Sequence, residues 1–200
     1  AKTPSSFDRS VEPEYGKTPS LVIPDVYKDN LSNGLSIYGI YNNEVPLVNF
    51  NLTIEGGQLL ESMDKLGLAN LTASLLNKGT KNKSVNELEE SIKELGASIY
   101  VSSSKESINI SVTTLSKNHK ATLSLVEEML LQPRFDENEF NLLKKATISN
   151  IRQQQANPNS VARNVYNKLI YGDDNIRSKN ILGTLNSVSS ITLDDVNLFY

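Results

Sequence analysis

Few residues in this chain can do chemistry. It holds one histidine, His119, and no cysteine, which removes thiolate ligands, thiol nucleophiles and disulfides together. His119 follows Asn118 at the start of a helical pattern. A lone imidazole, without a second imidazole or thiolate, makes no zinc site, so it reads as a surface polar residue. No Ser-His-Asp arrangement can be built around it from spacing. Glu127-Glu128, Asp173-Asp174 and Asp194-Asp195 resemble paired carboxylates. Adjacent helical positions point about 100° apart, however, and cannot share one proton, so these read as solvated acidic faces. The segment Lys78-Gly79-Thr80-Lys81-Asn82-Lys83-Ser84 leads into a helix start that can attract an anion. It lacks P-loop spacing, and capping is the plainer use of such a start.

One further set of polar side chains sits at helical spacing. Over residues 66–77, Leu68, Leu71 and Leu75 fall on one side and Asn70, Ser74 and Asn77 on the other. Neutral amide and hydroxyl oxygens give little affinity for zinc, and Ala73 cannot act as a general base. Taken alone, these are the polar stripe of an amphipathic helix.

The elements that must carry these residues follow from pattern. Residues 35–41 and 46–55 are β-type runs, the second alternating Val48, Phe50, Leu52 and Ile54, and a hairpin between them is expected. Gly56-Gly57 breaks the second run before the helix over 66–77. Ser84-Val85-Asn86-Glu87 has capping-box spacing, and Val85, Leu88, Ile92 and Leu95 form the buried stripe of a helix that stops at Gly96. Residues 97–102 and 107–114 read as strands around the turn 103–106, with Ile108, Ile110 and Val112 inward. Helices are predicted over about 118–131, from Asp136 to about Gln155 with Asp136 and Glu139 at capping positions, and over 160–171. Strands, helices and strands ahead of a helical tail predict an α+β fold, a mainly antiparallel sheet with helices on one face and a helical C-terminal part.

Composition bounds the rest. Twenty basic against twenty-three acidic residues give a net charge of −3, without the dense basic face that phosphate binding needs, so nucleic acid is not an expected partner. No apolar run approaches the roughly 18 to 20 residues of a membrane span. Residues 1–30, rich in Pro, Ser, Lys and Glu without periodicity, read as a linker or extended segment arriving from a preceding domain. Residues 31–200 read as a single domain. The last ten residues start a helix at Thr192 and stop mid-pattern, so further chain is expected beyond Tyr200.

The frame around residues 70–74, with Gly67-Leu68-Ala69 before and Lys78-Gly79-Thr80 after, resembles the pitrilysin/insulinase and mitochondrial processing peptidase family of zinc peptidases. In that family a helix carries H-x-x-E-H, two imidazoles gripping zinc and a carboxylate polarising water. Those five positions here are Asn70, Leu71, Thr72, Ala73 and Ser74. The resemblance covers nearly all of residues 30–200. Asn33-Gly34-Leu35 is similar to the family's opening N-G-L/V strand, and Gly56-Gly57 to its closing glycine pair. Residues 96–106 are similar to the stretch G-x-x-x-N-A-x-T-S-x-E, with Tyr100 in place of the asparagine. Residues 146–152 resemble the helix that supplies a third ligand, a glutamate, with Asn150 at its position. Ser74 and Asn150 stand 76 apart, against roughly 75 in the H-x-x-E-H class. Ile181-Leu182-Gly183-Thr184 and residues 188–195 resemble the family's I-L-G tail.

The resemblance implies a processing-peptidase-type half-domain whose catalytic positions, Asn70, Ala73, Ser74 and Asn150, are vestigial. It implies no metal bound by this chain and zinc in an active H-x-x-E-H partner domain or subunit. The expected role is to complete a peptide-degrading chamber and help bind extended peptide substrate, through Tyr100, Val101, Ser102 and Ser103. The alternative is a purely structural subunit, like the respiratory-complex core proteins of this fold. Family habit suggests the periplasm or cell envelope of a bacterium.

Overall fold

The computed structural model describes residues 10–12, 15–18, 20, 21 and 23–200. The chain divides into two compact units, Ala1–Val45 and Pro46–Tyr200. Much of the segment expected as a linker lies outside the described residues, and its described end is a strand. In the first unit, β1 (Val26–Asn30) pairs antiparallel with β2 (Ser36–Ile40), Val26 facing Ile40 and Asn30 facing Ser36. Asn33-Gly34 forms the turn, and the Asn33 carboxamide accepts the Leu35 N–H at 3.1 Å in the manner of an Asx turn. The run 35–41 therefore finds its partner upstream. The expected hairpin of 35–41 with 46–55 is corrected: β3 (Leu47–Glu55) pairs instead with β5 (Ser107–Leu115). β1 escaped prediction because all five of its residues are exposed, which leaves no alternation to read.

The second unit holds a three-stranded antiparallel sheet in the order β3-β5-β4, β4 being Ser98–Ser103. One face carries Phe50, Leu52, Ile99, Val101, Ile110 and Val112 against helices. The other carries Asn49, Asn51 and Thr53 of β3, Asn109, Ser111 and Thr113 of β5, and Ser98, Tyr100 and Ser102 of β4, uncharged residues followed on the same face by exposed Glu55 at the end of β3, opposite Ser107. Cross-strand bonds knit this face, with Thr113 Oγ1 donating to Asn49 Oδ1 at 2.7 Å and Thr53 Oγ1 to Asn109 Oδ1 at 3.0 Å. A sheet covered by helices on one side alternates apolar and polar residues in this way.

The helices start where capping chemistry dictates. α2 (Val85–Glu94) opens with the expected capping box of Ser84 and Glu87. α3 (His119–Leu131) follows a short 3-10 turn. In α4 (Glu137–Gln155) the Asp136 carboxylate accepts the N–H groups of Asn138 and Glu139. α5 (Pro158–Tyr171) begins two residues before the predicted Ser160, because Asn157 caps it and Pro158 takes the first helical position, where a missing N–H costs nothing. α6 (Leu185–Ser190) is short and rich in serine, which hid it from pattern reading, and α7 (Leu193–Phe199) is capped by Thr192 and Asp195.

α1 (Leu68–Leu76) lies at the centre. Ala73 and Leu76 pack with the sheet, α2 and α3 in one apolar cluster, and Leu68, Leu71 and Leu75 pack with α4, α6 and α7 in a second. Leu68, Ala69, Leu71, Thr72, Ala73, Leu75 and Leu76 are all buried. The helix expected to be amphipathic, with a leucine side and a polar stripe, is thus covered on two sides. Small residues, Ala69, Thr72 and Ala73, allow it, and a count of leucines alone misses them.

Candidate functional site

α1 is pinned at its N-terminus by three separate devices. The Glu61 carboxylate accepts the N–H of Gly67 at 2.9 Å and of Ala69 at 2.7 Å, satisfying donors that the first helical turn leaves free. Gly67, at φ 98°, lies against the carbonyl of Leu182, and Gly183, at φ 80°, lies against the carbonyl of Leu66. Ser187 Oγ donates to Leu66 O at 2.8 Å. The Gly67-Leu68-Ala69 and Ile181-Leu182-Gly183 segments, far apart in sequence, are therefore one structural joint.

Glu61 is 8% exposed, and burial pushes its pKa from 4.5 up to about 7, against the opposing pull of the two backbone N–H groups. The folded chain holds this proton more tightly than the unfolded chain. Its contribution to stability is full below about pH 4.5 and is lost as pH rises through about 7. The loss amounts to about 3 kcal/mol. Glu61→Gln is expected to flatten this part of the stability profile, read as the difference in urea midpoint between pH 5 and pH 8 for the two proteins.

The positions that could hold a catalytic metal carry the wrong chemistry. Asn70 and Ser74 are half-buried on α1, and Asn150 is exposed on α4. α1 packs on α4 through Leu71, Leu75, Phe140 and Ile151, so the two helices that would supply ligands are neighbours. Two carboxamides and a hydroxyl supply neither the imidazole nitrogens nor the anionic oxygen that zinc takes, and the donor set does not fit the metal. Among the described residues no group of three or more His, Cys, Asp or Glu side chains is placed to hold a metal ion. Ala73, at the position of the water-activating carboxylate, is 1% exposed and packs with Leu88, Ile110 and Met129.

Asn77 does not belong to the stripe where spacing placed it. It ends α1, and its carboxamide reaches β4: Nδ2 donates to Val101 O at 2.9 Å and Oδ1 accepts Val101 N–H at 2.9 Å. Nδ2 also donates to Ala73 O at 2.9 Å. This contact was not legible in sequence, because β4 is 24 residues away. Of the expected peptide-contact residues, Tyr100 is 63% exposed and stands with half-buried Ser102 on the open sheet face, whereas Val101 points into the core and Ser103 ends the strand.

The remaining candidates are occupied structurally. His119 Nδ1 lies 2.7 Å from Ser116 O. In the 78–84 loop, Lys83 pairs with Glu128 at 2.7 Å and Thr80 Oγ1 donates to the same carboxylate at 2.6 Å, which holds Glu128 below its ordinary pKa, the Lys83 bond contributing most. Asp195 pairs with Lys65 at 2.7 Å, and Asp173 with Lys168 and Lys179 at 3.1 and 3.0 Å. An open hollow of about 640 Å³ lies between residues 59–63 and 171–176, on segments that include none of the positions at α1 and α4.

Residues 39–180 match the family described as insulinase, peptidase family M16. The chain is 25% identical over 155 residues to the non-peptidase homolog YmxG of Helicobacter pylori, a match covering 78% of this chain and 36% of that protein. The crystal structure of a peptidase M16 inactive domain from Pseudomonas fluorescens superposes with a TM-score of 0.81 at 23% identity, over 88% of this chain and 42% of that one. The periplasmic protease PqqL of Escherichia coli does so with a TM-score of 0.76 at 17% identity, over 90% and 21%. The chain spans less than half the length of each.

Proposed function

Because the chain belongs to peptidase family M16, the insulinase family, we propose that it is a non-catalytic part of a two-part zinc peptidase, completing the chamber around peptide bound to an active H-x-x-E-H domain or subunit. The observation that carries this reading is α1, which keeps its family frame while Asn70 and Ser74 stand where ligands would be and Ala73 is packed into the core. A chain of this kind contributes shape and contact surface rather than a nucleophile. The neutral polar middle of the sheet face, Asn49, Asn51, Thr53, Asn109, Ser111 and Thr113, with Glu55 charged at its end, suits a wall past which peptides of varied charge move without being held. The likeness to an inactive M16 domain and to a protein named a non-peptidase homolog supports the assignment. The periplasm or cell envelope is part of the proposal, supported by the likeness to PqqL. No helix among the described residues is long and apolar enough to cross a membrane.

The test is to recover the native polypeptide and its stable companions with antibody to this chain and map them by peptide mass spectrometry. An H-x-x-E-H sequence in the same polypeptide or in a tight partner is the expected result. A large stable assembly without one would make the protein a structural subunit instead. Independently, the purified chain is expected to retain no stoichiometric zinc after dialysis and to cleave no peptide with zinc added. One tightly held zinc per chain, read by atomic absorption, would overturn the non-catalytic assignment.

A further inference from the structure

We infer that the outward face of α5 is a docking face for an amphipathic partner helix whose apolar stripe is bordered by acidic side chains. α5 is inverted for a helix on a closed surface. It packs on α4 and on the 3-10 turn Ile176–Ser178, and the residues half-buried along it are Ser160, Asn164 and Asn167, a polar stripe. Val161, Val165, Tyr166, Leu169 and Ile170 are exposed, from 44% at Val161 to 79% at Leu169, and no residue of the helix is buried. A surface helix normally turns its apolar stripe to the core and its polar residues to water. The inverted arrangement leaves a contiguous apolar face in water, which marks a contact site.

The spacing of that face sets the shape it receives. Val161, Val165 and Leu169 form one row at four-residue steps, and Ala162, Tyr166 and Ile170 form a second. Such rows are the ridges that interdigitate with those of another helix. The charges beside the rows set what borders the incoming helix. At about 100° per residue, Arg163 falls about 20° beyond Ile170 on one border and Lys168 about 20° beyond Val161 on the other, and α5 holds no Asp or Glu. Lys168 meets Asp173 at 3.1 Å, a carboxylate that it shares with Lys179. A cation therefore stands on each side of the stripe, and acidic side chains along the rims of the partner helix complement both. A second copy of α5 would set cation against cation on the borders in either direction. An anionic membrane is disfavoured as well, because exposed Asp173 and Asp174 follow at the end of the helix and the chain carries a net charge of −3. The natural source of the helix rests on the role proposed above, in which it belongs to the active companion domain or subunit.

Because α5 buries no side chain, its outward residues can be changed without loss of the fold, which circular dichroism checks. The probe is a fluorescein-labelled peptide of about 18 residues, long enough to hold a helix, with a leucine stripe bordered by glutamate. The control peptide carries lysine in place of each glutamate. Fluorescence anisotropy compares the wild-type chain with the double variant Val165→Ser, Leu169→Ser and with the double variant Arg163→Glu, Lys168→Glu. The wild-type chain is expected to bind the glutamate-bordered peptide about tenfold more tightly than the lysine-bordered one. The serine pair is expected to weaken that binding about tenfold or more, and the glutamate pair to reverse the preference. Equal affinity for the two peptides, affinity unchanged in the serine pair, or no binding of the glutamate-bordered peptide would each overturn the inference. Two other occupants would overturn it too: phosphatidylglycerol vesicles, if the wild-type chain binds them and the serine pair does not, and a second copy, if sedimentation shows a dimer that the serine pair dissolves. Failure to find an H-x-x-E-H companion would remove the natural source of the helix without changing these comparisons.

Discussion

Ala73→Glu is expected to destabilise the chain by about 4 kcal/mol, from overpacking a filled site and burying a carboxyl among apolar side chains. Ala73 lies in the cluster of Leu76, Leu88, Ile99, Val101, Ile110 and Met129, with 1% of its surface exposed. None of those neighbours offers the carboxyl a side-chain hydrogen-bond donor. The urea midpoint should fall with little change in slope, and the loss should shrink at low pH, where the new carboxyl is neutral. Ala73→Ser, which adds only a small hydroxyl able to bond back to the preceding turn, is the control and is expected to cost about 1 kcal/mol. A folded Ala73→Glu variant as stable as the parent would place residue 73 on an open surface beside Asn70 and Ser74 rather than in the core. The result bears on function because the carboxylate that active relatives are expected to carry here cannot be regained by one substitution.

Gly183→Ala is expected to cost about 3 kcal/mol, combining left-handed backbone strain with a backbone collision. A Cβ at residue 183 would stand 2.0 Å from Leu66 O and 2.6 Å from Leu66 C, at φ 80°. The neighbour is main chain at the entry to α1, which cannot swing aside without moving the helix. Gly172→Ala is the matched control, with φ likewise positive at 83° but nothing within 4 Å of its Cβ, and is expected to cost only the strain, about 1 kcal/mol. Thermal unfolding of the two variants in parallel separates them. A tolerant Gly183→Ala would mean that the joint between Leu66-Gly67 and Leu182-Gly183 is looser than its geometry.

The chemistry that this chain lacks was readable without coordinates. One histidine, no cysteine and neutral side chains at 70, 74 and 150 decide the donor set whatever the fold. The helices with local punctuation were readable as well: Ser84 with Glu87, Asp136 with Glu139 and Thr192 with Asp195 bond within one turn, so sequence neighbours suffice. The inward alternation of β5 and the glycine pair at 56 and 57 belong to the same class, and with them the α+β arrangement and the family.

Tertiary structure alone decided the pairings between distant segments. β3 chose β5 over the nearer run at 35–41, since strands with alternating apolar faces gain by joining one helix-covered sheet. Glu61, which shows no motif, became the cap of α1 and a group titrating near neutrality because folding buries it. Ala73 passed from an apparent gap in a catalytic motif to a core residue, because α1 is covered on two sides. Asn77 passed from a polar stripe to the edge of β4, because a carboxamide at a helix end can imitate a strand only where the fold brings a strand beside it. Local bonding and side-chain chemistry are fixed by neighbours along the chain, whereas burial and edge closure depend on which segments meet, and this contact pattern exists only in the folded chain.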